Sequence, residues 1–152
     1  MNLILENTDQ VRYFTNMKEV FQATGISPGD YDWYVSDIET NFTPDGFSLE
    51  DQWLRGDALG ALLQEHELQF IWAVFSAVPR GFRKMVQDSP YVDGNPSYWS
   101  GQDVSPQLEG AVFEIACWDS SATILINLPA DAERSFIRAH ADTRPLVNAR
   151  RK

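Results

Sequence analysis

Asp37 and Glu39 stand two residues apart in Tyr31–Thr40 (YDWYVSDIET), a segment whose aromatic and β-branched content reads as a strand. Alternation along a strand puts both carboxylates on one face. With Asp30 or Asp32 beside them they have the makings of a divalent-cation site or of an acid–base pair. A nuclease that follows such acids with a lysine wants Glu-x-Lys, and Asn41 stands in the lysine's place. The other candidates are thinner. His66 and His140 belong to no HxH or HExxH spacing, so no metal is expected. Gly56-Asp57-Ala58-Leu59-Gly60 has two glycines, but puts an acidic group where a phosphate would sit. Cys117, the only cysteine, lies in an apolar run and reads as a small buried residue. There is no GxSxG elbow, and no cofactor is expected.

These carboxylates fit recognition better than catalysis. Between Asp30 and Glu67 there are ten acidic residues, and only Arg55 opposes them. A second stretch, Met85 to Asp131, carries seven more with no lysine or arginine. The whole chain has a net charge of −10. Such a field repels nucleic-acid phosphates and anionic lipid and attracts cationic partners. Neither nucleic acid nor membrane is therefore an expected partner. Positive charge is clustered at Arg80, Arg83 and Lys84 and at the end, Arg150-Arg151-Lys152. A second recognition signal is the loop Ser89 to Gly101 (SPYVDGNPSYWSG). It sets Tyr91, Tyr98 and Trp99 among Gly, Pro, Ser, Asn and Asp, a mixture typical of protein-binding loops. The candidate partner-binding residues are Asp37, Glu39, Asp45, Glu50 and Asp51 for charge, with Tyr98 and Trp99 as aromatic anchors.

The elements that must hold these groups follow from periodicity and turn residues. Asn2–Glu6 reads as a first strand. Thr8 or Asp9 caps a helix through Ala23, which Gly25 and Pro28 end. After the Tyr31–Thr40 strand, Pro44-Asp45-Gly46 marks a turn, and Gly56-Asp57 opens a second helix reaching His66. Leu68–Val78 (LQFIWAVFSAV) is apolar on both alternating faces, as a central strand is, with Phe70, Trp72 and Val74 on one side and Ile71, Ala73 and Phe75 on the other. Pro79–Asp88 is a basic turn with a helical turn at Phe82–Val86, and Ser89–Gly110 is irregular. Val112–Trp118 and Thr123–Leu128 pair as a hairpin, a last helix runs to about Ala141, and residues 146–152 form a basic, frayed tail. The order predicts a single α+β domain over residues 1–145, with a mixed sheet and helices mainly on one face. No apolar stretch approaches the roughly 20 residues of a membrane span, and Met1–Glu6 has no basic leader.

The aromatic strand Tyr31-Asp32-Trp33-Tyr34-Val35, the helix Gly56–His66, the strand Leu68–Val78 and the hairpin-helix Val112–His140 together resemble small acidic bacterial toxin-immunity proteins. That resemblance implies a cytoplasmic inhibitor that binds a basic toxin domain and covers its active site, without catalysis of its own. The alternative is a small enzyme or ligand-binding domain centred on Asp37 and Glu39.

Overall fold

Seven strands run through the described residues, the longest of them rich in apolar and β-branched residues. The computed structural model describes residues 1–11 and 13–149. The strands are β1 (Leu3–Glu6), β2 (Asp32–Thr40), β3 (Gln52–Leu54), β4 (Phe70–Val78), β5 (Phe113–Trp118), β6 (Ala122–Ile126) and β7 (Arg144–Pro145). They form one sheet in the order β3-β2-β4-β5-β6-β1-β7. The helices are α1 (Met17–Thr24), α2 (Gly56–Glu65) and α3 (Ala130–Ala139). The α+β class and the single domain expected from the sequence are both present. Every described strand pairing is antiparallel, where a mixed sheet was expected. The reason lies in the connections. Each helix returns the chain across the sheet to a strand running against its neighbour, and no helix links two adjacent parallel strands.

All three helices cover one face. Val20 and Phe21 of α1, Leu59 and Leu63 of α2, and Phe136 of α3 meet Trp33, Val35, Ala73, Phe75, Phe113 and Ile115 of the sheet in one core. The opposite face is just as dry. There Ile4, Val74, Ala116, Ile124 and Ile126 pack beneath Val92, Tyr98, Leu146 and Ala149. Its roof is the irregular segment after β4, helped by the chain following β7. This explains why β4, β5 and β6 read as continuous apolar runs: they are buried on both sides.

Several expected boundaries move. α1 starts at Met17, not at Thr8 or Asp9, because Asn16 is the residue whose side chain accepts the Glu19 amide. Phe82–Val86 forms no helical turn. Phe70 lies with Ala73 and Phe75 against the helices, while Trp72 and Val74 face the other way. A register shift between the Glu39–Trp72 and Thr40–Phe70 pairs breaks the alternation there. The tail expected over 146–152 does not begin at Leu146. Residues Leu146–Asn148 form a 3-10 turn, and Leu146 and Ala149 are buried. Arg150, Arg151 and Lys152 lie outside the described residues. Among the described residues no helix is long and apolar enough to cross a membrane.

Candidate functional site

Asp37 sits at a bulge, where Ser36 pairs with Val74 but Glu39 already pairs with Trp72. Its φ is 55°, a left-handed conformation that aspartate tolerates better than most residues. The carboxylate points toward the irregular segment after β4. One oxygen, Oδ2, accepts the amides of Val92 and Asp93, each at 2.9 Å, and the Asp37 amide donates to Asp51 Oδ1 at 3.0 Å. Asp37 is therefore a junction that holds the β2–β3 loop on one side and the Tyr91–Trp99 loop on the other. The same bulge breaks the alternation that was to set Asp37 beside Glu39. Asp32 is engaged elsewhere, and among the described residues no three His, Cys, Asp or Glu side chains gather to share a metal.

Asp32 accepts from the Gly56 amide at 3.0 Å, from the Gly81 amide at 2.9 Å, and from Arg83 Nη1 at 3.0 Å. Burial alone would push this carboxyl up. The two amides and the guanidinium outweigh it and hold the pKa at about 2. Gly56 must be glycine for the same junction to close. A Cβ there would lie 2.0 Å from the Tyr31 carbonyl oxygen and 2.3 Å from that of Pro28. The Gly56–Gly60 pattern thus serves close packing. Arg83 also lies over the Trp53 ring, 5.1 Å from its centroid, and Lys84 pairs with Glu109.

Tyr98 is not a surface anchor. The 3-10 turn Pro96–Trp99 points it inward, where it is 2% exposed and donates to Glu114 Oε2 at 2.6 Å. Gln107 joins them: its amide donates to Glu114 Oε1 at 2.8 Å and its side chain to the Tyr98 hydroxyl at 2.6 Å. Burial pushes the Glu114 carboxyl up, against the opposing pull of its hydrogen bonds, and burial followed by the charge of Glu114 pushes the Tyr98 phenol well up. Ser36 Oγ donates to the Pro90 carbonyl, and the Tyr34 hydroxyl pairs with that of Ser89. These polar contacts pin an irregular loop onto an apolar sheet.

What remains at the surface is coherent. Glu39, Asp45, Glu50 and Asp51 are exposed, and the loop that carries the last three also exposes Phe42 and Leu49. Among the described residues no cation lies within ion-pair distance of any of these four carboxylates. Beyond the Asp37 junction, Trp99 is half-buried. Its ring meets Trp118 at 5.2 Å and 73°, and Trp118 meets Trp72 at 5.8 Å and 83°. The three rings, with Asp93, Gly94, Asn95 and Pro96, line an open pocket of about 410 Å³.

No family model, curated protein or solved structure matches this chain.

Trp72 and Trp118, on strands whose apolar content reads as core, are half-buried at the edge of that core. Register sets this pair: Ala73 lies opposite Cys117 in antiparallel strands, so the next residues outward, Trp72 and Trp118, emerge as neighbours on one face.

Proposed function

We propose that this chain is a binding protein that docks a basic protein surface and blocks it, in the manner of an immunity protein that covers a toxin's active site. The observation that carries this reading is the β2–β3 loop. It exposes the carboxylates Asp45, Glu50 and Asp51 together with Phe42 and Leu49, and Glu39 is exposed near the end of the strand that leads into it. Exposed apolar groups on an acidic loop provide contact area, while the charge provides steering. The Asp37 junction ties this loop to Asp93, in the segment that also carries Trp99. The carboxylates of Asp32 and Asp37 already accept backbone amides, so a recognition role suits this surface better than an acid–base pair. A cytoplasmic location in a bacterial host belongs to the same proposal.

The test is to recover the partner from the native host and measure both its activity and its association kinetics with the purified chain. Stoichiometric addition should abolish the partner's activity. Charge-steered association reaches about 10⁸–10⁹ M⁻¹s⁻¹ at low salt, against about 10⁵–10⁶ without steering, so the on-rate should fall steeply as salt is added. Changing Asp45 and Asp51 to Asn and Glu50 to Gln together should lower the on-rate about tenfold and leave the off-rate nearly unchanged. A partner that keeps full activity in the complex, or an on-rate insensitive to salt, would overturn the reading.

A further inference from the structure

Acidic residues outnumber Lys and Arg by 22 to 12 in this chain, yet three arginines meet at one place. Arg55, Arg80 and Arg83 line an open pocket of about 590 Å³ together with Asp32, Asp57 and Gly81. Both carboxylates there are already engaged. Asp32 accepts the Gly56 and Gly81 amides and Arg83 Nη1. Asp57 accepts from Arg55 Nη2 at 3.2 Å and from the Ala58 amide at 2.8 Å. Two acids thus neutralise two of the three cations. Arg80 is the remainder: it is exposed, and among the described residues it forms no ion pair. Arg83 is held in place by Asp32, by the Phe82 carbonyl at 2.7 Å and by the Trp53 ring. Both of its bonds to oxygen use Nη1, so the N–H donors on Nη2 and Nε are not spent on them. The pocket also adjoins the acidic loop. Arg55 directly follows the three-residue strand β3, so roughly 13 Å of extended chain separates it from Asp51.

We infer that this pocket receives an aspartate or glutamate side chain of the basic partner protein, its carboxylate held by the guanidinium groups of Arg80 and Arg83. Guanidinium forks match a carboxylate's two oxygens. A carboxylate is favoured over a phosphate because one unpaired cation balances a single negative charge, and a chain at −10 repels a dianion more strongly. The surface is then negative before β3 and positive after it, a pattern that fixes the register of a partner whose bases lie on the loop. This inference rests on the proposed binding function for its partner. The pocket's chemistry can be tested without that partner.

The deciding variant is Arg80→Gln, a surface change that should leave thermal unfolding unmoved. Its kinetics with the partner recovered from the host are compared with those of the unaltered chain. Were the partner purely basic at this place, Arg80 would be repelled, and removing it would speed association and tighten the complex. A carboxylate in the pocket gives the opposite sign. Arg80→Gln should then raise the off-rate about fivefold, the scale of one exposed charge contact, and Arg80→Lys should recover part of the loss. An off-rate unchanged or lowered by Arg80→Gln overturns the inference, while a salt-sensitive inhibitory complex keeps the proposed function. The probe without a partner is N-acetylglutamate methylamide, titrated into the full chain while the Gly29 and Gly81 amides are followed by NMR. Neutral N-acetylglutamine methylamide is the control. The glutamate compound should shift both signals at millimolar concentration, less so in Arg80→Gln, and the glutamine compound should leave them in place. Equal shifts with both compounds, or none with either, overturn the pocket's chemistry. Inorganic phosphate at matched ionic strength should bind more weakly, and tighter phosphate binding would overturn the carboxylate as occupant. Sedimentation of the chain alone should show a monomer. A salt-sensitive dimer lost in Arg80→Gln would make a second copy the occupant and overturn the partner. Shifts with the glutamate compound, in a chain whose recovered partner keeps full activity, would sink the proposed function and support the carboxylate site alone.

Discussion

Two buried carboxylates act on the stability of this protein in opposite directions. Asp32 has a folded pKa of about 2 against an ordinary 3.8, so its contribution is fully present above 3.8 and is lost as pH falls toward 2. The shift corresponds to about 2 kcal/mol. Asp32→Asn should lower stability by about that amount at pH 7 and by much less at pH 2, measured by urea unfolding at each pH. Glu114 is the other case, because burial raises its folded pKa above the ordinary 4.5. Below 4.5 both states are protonated and nothing is lost. As pH rises past 4.5 the unfolded chain ionises first, and stability falls until the folded carboxyl ionises too. Glu114→Gln should flatten that part of the profile. Glu114→Ala should destabilise by roughly 3 kcal/mol below pH 4.5 and by less above it, since it opens a cavity and leaves the Tyr98 hydroxyl and the Gln107 amide short of a partner but also removes the buried titrating group.

At the level of elements, the bulge in β2 and the start of α2 are the two fixed points. Asp37→Ala removes an acceptor shared by two amides and puts alanine in a left-handed conformation. The expected loss is about 2 kcal/mol, with faster hydrogen exchange at Val92 and Asp93 than elsewhere. Gly56→Ala places a methyl group inside contact distance of two carbonyl oxygens, and thermal unfolding should show a loss of 3 kcal/mol or more. β4, the hairpin of β5 and β6, and α3 were legible in the sequence because each carries its own pattern and its own end signals. The hairpin turn is an example: Asp119 and Ser120 both have positive φ, and the Ser121 amide closes onto the Trp118 carbonyl. β3 and β7 were not legible, since strands of three and two residues exist only through their neighbours. Nor was the bulge, whose cause is a pair of amides far along the chain.

For the whole molecule, the charge pattern was readable but the position of each ring was not. Exposed Asp45, Glu50 and Asp51 could be expected from a polar turn, and they lie where the sequence put them. Tyr98 and Trp99 are adjacent and chemically alike, and only a long-range partner decides that the first goes inward. The irregular segment between β4 and β5 carries the signs of a loop, yet it serves as the second layer over the sheet, giving the molecule two dry faces from one set of helices. That role depends on side chains far apart in sequence, so no local pattern announces it.

The place of β1 has a consequence for the order in which the molecule can be made. Leu3 pairs with Leu125 on one side and with Pro145 on the other. During synthesis the segment Leu3-Ile4-Leu5 must wait without either partner until the ribosome has delivered nearly everything described here. Contacts so distant are slow to form, and an apolar strand left open in the meantime is a target for misassociation. Such a nascent chain would need a chaperone's shelter at Leu3-Ile4-Leu5 more than at the strands that pair with near neighbours.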